Sequence, residues 1–256
     1  GLKRPLFEKV DDAVITNLKI KDVEISNQGS KNAAITKESN HTTFANLSLE
    51  NIQITGESYN AAISGYDYTG STFSKIQIRK AQITGAKNYN AAFVGRASGS
   101  DIRDIAVIES KVVLSGTDCG GFIGEGKNLN IHHVYSDSDV HVETYTDNQG
   151  RTNSAGFIGN LAGKSKVQYV FAAGTIENKT QTELYNFLGT PNVLETMVSD
   201  AFVRDNAGGK PNITETTGNR LSTVTAEQTK KSEFYRTSMN LNEEIWNLGL
   251  VGMKGY

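Results

Sequence analysis

Three pairs of aspartates have a spacing that could support acid–base chemistry in this 256-residue chain. The pairs are Asp11 with Asp12, Asp101 with Asp104, and Asp137 with Asp139. Two carboxylates on one face of a protein can hydrolyse a glycosidic bond, and Asp137 and Asp139 share one face of a predicted strand. A polysaccharide lyase would instead need calcium ligands and a basic residue, for which Arg79, Arg96 and Arg103 are candidates. Such residues also occur on any solvated strand face, and we favour that interpretation.

The histidines offer no recognisable metal site. A zinc-peptidase helix carries H-E-x-x-H, in which two histidines one turn apart bind Zn²⁺ and the glutamate activates water. His41, His132, His133 and His141 all lie outside such a motif. His132 and His133 are adjacent on a predicted strand, so we expect their side chains to point to opposite faces, and we place His141 in the next strand. The sequence therefore predicts no metal site in this chain.

Four tyrosines are candidate binding residues. Tyr59, Tyr66, Tyr68 and Tyr89 fall in the predicted turns of two successive repeats, and G-Y-D-Y-T-G at 65–70 is typical of a protruding loop. Tyrosine combines a large contact area with a polar tip, which suits recognition of a protein or a glycan. The alternative is that the rings stack only on one another.

These residues are carried by a repeat with a period near thirty residues. The clearest copies read N-A-A-I at 32–35, N-A-A-I-S-G at 60–65 and N-A-A-F-V-G at 90–95, with weaker copies at 119–124, 154–159 and 185–189. The apolar residue after the small pair falls at Ile35, Ile63, Phe93, Phe122, Phe157 and Phe187. The gaps of 28, 30, 29, 35 and 30 residues indicate a stacked-repeat architecture.

Apolar residues two positions apart predict strands with one buried face. We expect three short strands per coil, the third of them formed by A-A-[IF]. This spacing leaves no room for a crossover helix, so each strand must pair in parallel with its equivalent one coil along. The sequence therefore predicts an all-β protein, a right-handed parallel β-helix of roughly six to seven coils.

The asparagine of the repeat is predicted to be structural. Asn32, Asn60 and Asn90 occupy one repeat position and could form an amide ladder when stacked, with Tyr59 and Tyr89 stacked beside them. The single cysteine, Cys119, excludes a disulfide framework. We expect it to be a small buried residue in the position that carries Ala61 and Ala91.

Both ends of the repeat region carry their own predictions. Residues 1–12 are expected to lead into the first coil, and 144–153 to leave the solenoid as a polar excursion. The β-helix is assigned to 1–203, and a loop, a short helix and a C-terminal cap to 204–256. Thr225-Ala226-Glu227-Gln228 is a capping box that predicts a helix over about 226–238. We expect an aromatic group to cover the exposed end of the last coil: Phe234, Tyr235, Ile245 and Trp246.

Composition excludes some partners. The 26 basic and 28 acidic residues give a net charge of −2, which argues against a nucleic-acid-binding surface. The chain has no apolar run of the ~20 residues that span a bilayer, and no signal peptide opens it at Gly1. Because it also begins and ends abruptly, we expect it to be a fragment of a larger protein.

Several segments resemble a known family. The G-F-I-G copies with small flanking residues look like the GLUG repeat of bacterial surface proteins. The segment P-L-F-E-K-V-D-D-A-V-I-T-N-L-K-I-K-D-V-E-I-S at 5–26 resembles the N-terminal β-helical region of the streptococcal immunoglobulin A protease family of surface zinc metallopeptidases. T-A-E-Q-T-K-K-S-E-F-Y and N-E-E-I-W are similar to the tail that follows the repeats in such proteins.

The resemblance implies a non-catalytic module of a large zinc metalloendopeptidase, secreted or anchored in the cell wall. The zinc and the H-E-x-x-H site would lie in another domain of the parent protease. The module would act as a spacer and could help to position immunoglobulin A or another host glycoprotein. Two alternatives stay open, an adhesin-type binding module for a host protein or glycan and a carbohydrate-active β-helix enzyme.

Overall fold

A computed structural model describes residues 1–143, 153–179, 184–191, 195–205, 207–210, 213 and 219–248. Parallel strands form a β-solenoid of about six turns, as the repeat predicts. The predicted excursion over 144–153 lies, apart from Asn153, outside the described residues, and so do parts of the predicted loop over 204–220.

The strands alternate between two sheets along the chain. They are β1 (Phe7–Asp11), β2 (Val14–Thr16), β3 (Lys19–Ser26), β4 (Thr36–Asn40), β5 (Thr43–Gly56), β6 (Ser64–Asp67), β7 (Thr72–Gly85), β8 (Val94–Ser98), β9 (Asp101–Leu114), β10 (Ile123–Lys127), β11 (Asn130–Val142), β12 (Ile158–Ala162), β13 (Lys166–Ala172), β14 (Ile176–Asn178), β15 (Leu188–Pro191), β16 (Met197–Arg204) and β17 (Leu221–Val224). In the described residues the seven-stranded sheet runs β1-β4-β6-β8-β10-β12-β15. The ten-stranded sheet runs β17-β16-β13-β11-β9-β7-β5-β2, with β3 beside β5 and β14 beside β11.

The four central coils, from β4–β5 to β10–β11, each hold one short and one long strand, so the prediction of three short strands per coil is wrong for them. The first coil and the coil after β11 do hold three strands. The 14-residue β5 joins two predicted strands and bends at Asn46 (φ 54°) and Asn51 (φ 57°) without losing its pairing to β7. The third predicted strand also fails, because Ala61 makes only an isolated bridge and β6 begins after Ile63. Left-handed residues turn a strand without ending it, which apolar spacing alone does not reveal.

The first rung begins earlier than predicted. β1 lies inside the segment 1–12 that was expected to lead into the first coil, and it pairs in parallel with β4. At the other end β17 pairs with β16, so the ten-stranded sheet continues beyond residue 203.

The repeat's apolar marker residues form the centre of the core. All six are fully buried: Ile35, Ile63, Phe93, Phe122, Phe157 and Phe187. The rings from Phe93 to Phe187 stack coil on coil with centroids 4.7–5.0 Å apart. This spacing matches the ~4.8 Å between hydrogen-bonded strands, so aromatic contact and backbone pairing reinforce the same register.

The C-terminal tail differs from its prediction in two ways. The capping box is present, with the Thr225 hydroxyl accepting from Gln228 N, but α1 spans only Ala226–Thr229. A separate π-helix follows over Phe234–Ser238, in place of one helix over 226–238. None of the helices in the described part of the chain is long and apolar enough to cross a bilayer.

The tail covers a side of the solenoid and not the end predicted for it. The Phe234 ring lies 5.6 Å from Phe171 and 5.1 Å from Phe202. The buried partners of the tail are Ala173, which directly follows β13, and four outward-facing residues of the ten-stranded sheet: Ala106, Ile108, Tyr135 and Phe171. This outward apolar stripe attracts Phe234, Tyr235 and Trp246, whereas Ile245 remains 39% exposed.

Candidate functional site

A row of left-handed residues forms one corner of the solenoid. Lys31, Tyr59, Tyr89 and Asp118 have φ of 65°, 57°, 64° and 52°, and each precedes the residue at the asparagine position. Because the corner repeats in these four successive coils, Tyr59 and Tyr89 stack with ring centroids 4.7 Å apart. Lys31 belongs to the same row, and its repeat position was the signal that could have identified it.

The asparagine ladder lies just inside this corner. Asn32 Nδ2 donates to Asn60 Oδ1 at 2.8 Å, and Asn60 Nδ2 donates to Asn90 Oδ1 at 2.7 Å. All three side chains are fully buried. A Cβ on Gly85 would lie 2.0 Å from Asn90 Nδ2, so the glycine that ends β7 leaves room for the amide. The ladder's bonds are internal, which makes these asparagines structural residues.

Cys119 continues this ladder, so its predicted alignment with Ala61 and Ala91 is wrong. Ala91 pairs with Gly120, and the Asn90 backbone N–H points at Cys119 Sγ at 3.3 Å. The cysteine is fully buried as expected. Burial raises the pKa of its thiol to about 12, so the group is a neutral packing residue at physiological pH.

Tyr66 joins the corner from the neighbouring strand. It lies on β6, so the prediction that 65–70 protrudes as a loop is wrong for its first residues. Its ring centroid is 5.4 Å from Tyr59 and 4.3 Å from Tyr68, which is 42% exposed. Pairing of β4, β6, β8 and β10 aligns Tyr66 with charged residues of adjacent coils: Glu38, Arg96 and Glu125.

Two cations lie against these rings. Lys31 Nζ is 5.3 Å from the Tyr66 centroid and pairs with Glu38. Arg96 Cζ is 5.0 Å from the same centroid, and its Nε lies 2.8 Å from Glu125 Oε2. Both distances fit cation–π contact. We call this surface the tyrosine face and define it by eight residues: Lys31, Glu38, Tyr59, Tyr66, Tyr68, Tyr89, Arg96 and Glu125.

Burial keeps the tyrosine face in its proton-donating form. Burial, with the negative charges of Asp118 and Glu125, raises the pKa of Tyr89 to about 12. Burial likewise raises the pKa of Tyr59, and that of the Glu125 carboxyl. The phenols of Tyr59 and Tyr89 are therefore neutral hydrogen-bond donors at physiological pH.

The histidine pair contradicts its predicted arrangement. His133 is left-handed (φ 54°), which breaks the alternation of β11 and brings both rings to one side. His132 Nδ1 and His133 Nδ1 are 3.2 Å apart, and His133 Nδ1 lies 3.7 Å from Asp104 Oδ1. His141 belongs to this same strand, not the next one, and lies between two carboxylates, at 2.8 Å from Glu143 and 2.7 Å from Glu177.

The predicted carboxylate pairs are engaged in local contacts. Asp101 accepts from Arg103 at 2.7 Å and from Asn130 at 2.6 Å. Asp139 accepts from Thr175, and burial raises the pKa of the Asp137 carboxyl. Of the other candidate cations, Arg79 lies 3.8 Å from Glu109.

One group in the described residues has the donor types of a cation site. Asp11, Asp12 and His41 offer ligand atoms within 4.8 Å of one another, but all three side chains are exposed. Asp11 and Asp12 were considered from the sequence as a catalytic pair. The sequence offered no reason to group His41 with these two aspartates, because His41 lies in the next coil.

Comparison with protein-family models finds no match for this chain, and comparison with curated proteins finds no matching relative either. The function is therefore argued from the geometry of the tyrosine face and from the resemblance in the sequence.

Proposed function

We propose that this chain is a non-catalytic β-solenoid module that recognises a host glycoprotein through the tyrosine face. The resemblance to the immunoglobulin A protease family supports a place in a secreted or wall-anchored zinc metalloendopeptidase. In that setting the zinc belongs to another domain of the parent protein. The module holds the substrate, immunoglobulin A or a related glycoprotein, at a fixed distance from that domain.

The observation that carries the proposal is the convergence of four tyrosines on one side of a regular rod. Tyr59, Tyr66 and Tyr89 are half-buried and Tyr68 is exposed. Tyrosine and arginine are the residues enriched at protein interfaces, and rings already held in place lose little conformational entropy on binding. The stacked rings therefore present aromatic contact area with a small loss of conformational entropy on binding.

The charges of the face favour a protein partner over a charged polymer. Lys31 pairs with Glu38 and Arg96 with Glu125, so the face has no net charge of its own. A balanced, aromatic, hydrogen-bonding surface resembles the interior of a protein–protein interface. Recognition would then rest on shape and on the phenol hydroxyls.

Binding to immobilised immunoglobulin A tests the proposal. We expect the wild-type chain to bind and the Tyr66→Ala/Tyr68→Ala variant to lose at least about tenfold in affinity, since truncating central tyrosines typically costs more than 1 kcal/mol each. Phe7→Ala is the matched control, because Phe7 is also 42% exposed and lies on β1, two strands from the β6 strand that carries Tyr66. Equal binding by all three chains would refute the proposal.

A second candidate is the adhesin-type module, which the exposure of Tyr68 also favours. The same surface would then attach the bacterium to a host protein or glycan without a protease domain. A glycan array separates the two, because an adhesin of this type predicts glycan binding that Tyr66→Ala/Tyr68→Ala abolishes.

A further inference from the structure

The tail borders a groove that follows one bend of the ten-stranded sheet from coil to coil. The rod wall of this groove is a second row of left-handed residues, one from each successive coil: Asn46, Lys75, Asp104, His133, Tyr169 and Asp200. Their φ values lie between 49° and 55°, so the row is a corner of the solenoid. The opposite wall is the tail, which packs on the adjoining stripe of the sheet.

A cavity of about 310 Å³ opens at the start of this groove. Lys75, Gln77 and Asp104 line it from the rod, and Glu244 and Ile245 line it from the tail. Ala106 and Trp246 form its apolar floor, and Ile76 also lines it, although that side chain packs in the solenoid core. An apolar floor with a few convergent polar groups is the usual composition of a small-ligand site.

A second cavity of about 320 Å³ lies further along the same bend of the sheet. Tyr169, Asp200 and Arg220 line it from the rod, and Thr237 and Ser238 from the tail. In the row, only His133 separates Asp104 of the first cavity from Tyr169 of the second. His133 Nε2 is buried, with no hydrogen-bond partner in the part of the chain that the structure describes. The two cavities therefore lie in line along the solenoid axis.

Three polar side chains of the first cavity are not used by the fold, whereas Asp104 contacts His133 and Asn46 donates to Asn17. In the described residues the side chains of Lys75, Gln77 and Glu244 make no hydrogen bond or ion pair. On the tyrosine face, in contrast, Lys31 and Arg96 are both paired with carboxylates. Three unengaged polar side chains around an apolar floor are what a bound ligand would satisfy.

The charges define the class of ligand. Lys75 and Arg220 stand against Asp104, Asp200 and Glu244, so the groove has little net charge and favours a neutral ligand. The strands that carry the rod wall of the first cavity are paired on both sides, β7 with β5 and β9, and β9 with β7 and β11. An extended peptide therefore cannot bind here by strand addition, and recognition must use side chains.

We propose that this groove binds a linear, uncharged oligosaccharide lying parallel to the solenoid axis. Polar side chains recur once per coil along the row, about 4.8 Å apart, and those of Lys75, Asp104 and Asp200 bind hydroxyls of the sugar units. Tyr169 and Ile245 supply apolar surface for the faces of the sugar rings. The site is separate from the tyrosine face and does not depend on the function proposed for it.

Calorimetric titration of the full chain with cellohexaose, maltohexaose and chitohexaose tests this proposal. We expect one of the three to bind with one site per chain. Lys75→Asn and Glu244→Gln should each weaken that binding about tenfold, the loss typical of one hydrogen bond to a charged group. Lys80→Asn is the matched control, because Lys80 is the other left-handed lysine of β7 and lies outside the cavity.

Asparagine is a suitable replacement at both lysines, since Asn46 and Asn51 hold the equivalent left-handed positions one coil earlier. Unchanged binding by Lys80→Asn and by Tyr66→Ala/Tyr68→Ala would support a site in the groove. The proposal is overturned if none of the three hexasaccharides binds, if Lys80→Asn loses as much affinity as Lys75→Asn, or if a hexagalacturonate binds more tightly than all three.

Discussion

At the scale of single residues, Asp67 is the least expected feature of the core. Its carboxylate is fully buried and accepts hydrogen bonds from three serines, Ser39 at 3.0 Å and Ser71 and Ser100 at 2.5 Å each. Burial nevertheless raises its pKa, and among nearby charges only His41 contributes in the opposite direction. The protonated acid is therefore favoured in the folded state relative to the unfolded one.

This shift predicts a pH dependence that Asp67→Asn removes. Because the folded pKa exceeds the unfolded value of about 3.9, the stabilisation is complete below that value and is lost as pH rises through the folded pKa. The free energy of unfolding of wild type minus that of Asp67→Asn should fall with pH, by at most about 1.4 kcal/mol per unit. Urea titrations between pH 3.5 and 7 measure this difference, and a constant difference would contradict the account.

The asparagine ladder gives a second prediction at this scale. Asn60→Ala should lower the free energy of unfolding by about 1–3 kcal/mol, because Asn32 Nδ2 loses one of its two acceptors and Asn90 Oδ1 loses one of its two donors in a buried place. Asn130→Ala is the control, since the hydrogen bond from the Asn130 side-chain amide to Asp101 is exposed to solvent. Urea midpoints that shift equally in the two variants would show that the ladder is not stabilising.

Sequence reasoning located the tyrosine face only in part. Tyr59 and Tyr89 could be placed together because the repeat aligns them. Lys31 shares their repeat position, although its contact with the Tyr66 ring could not be inferred from that position. Arg96 and Glu125 could not be placed, because they align with Tyr66 only through the pairing of β6 with β8 and of β8 with β10. A left-handed residue, here His133, is also the reason why the prediction that His132 and His133 point to opposite faces is wrong.

At the scale of elements, the left-handed bends within the long strands explain why the sequence predicted their residues correctly but not their lengths. Apolar alternation located the buried residues of β5 and β7 correctly, including Leu47, Leu49, Ile76 and Ile78. The same alternation predicted two short strands in place of each long one, because a left-handed residue shifts the pattern of buried residues by one position at the bend. Hydrogen bonding continues across that shift, and spacing alone carries no information about it.

Ala92→Asp tests the register of these elements. Ala92 is fully buried in the core, so an unpaired carboxylate there should destabilise the chain by more than about 4 kcal/mol and unfold part of the solenoid. Ala86→Asp, at an exposed position just after β7, should change stability by less than about 0.5 kcal/mol. A far-ultraviolet circular dichroism melt that is the same for wild type and Ala92→Asp would show that the register is wrong.

The tail gives a matched pair of substitutions. Phe234 packs against Phe171 and Phe202, so Phe234→Ala should cost about 3 kcal/mol or more. Ile245→Ala removes a side chain that is 39% exposed and should cost less than about 1 kcal/mol. Chemical denaturation followed by Trp246 fluorescence compares the two, and the reverse order would contradict the lateral packing of the tail.

At the scale of the whole molecule, the period of thirty residues was sufficient to predict a parallel solenoid. The period could not predict where the tail binds, because an outward apolar stripe of Ala106, Tyr135 and Phe171 has no signature distinct from a buried strand face. The right-handed sense of the coil stays a prediction. The arrangement as a whole gives a rod with a tyrosine face on one sheet and a tail-bordered groove on the other.

Native mass spectrometry of the chain mixed with intact immunoglobulin A tests the central claim most directly, since one spectrum reports both association and cleavage. The account predicts a complex with the summed mass of the chain and uncleaved immunoglobulin A, which is lost when the mixture contains Tyr66→Ala/Tyr68→Ala. Cleaved immunoglobulin A in the wild-type mixture, no complex with the wild-type chain, or an equal amount of complex with the variant would contradict it.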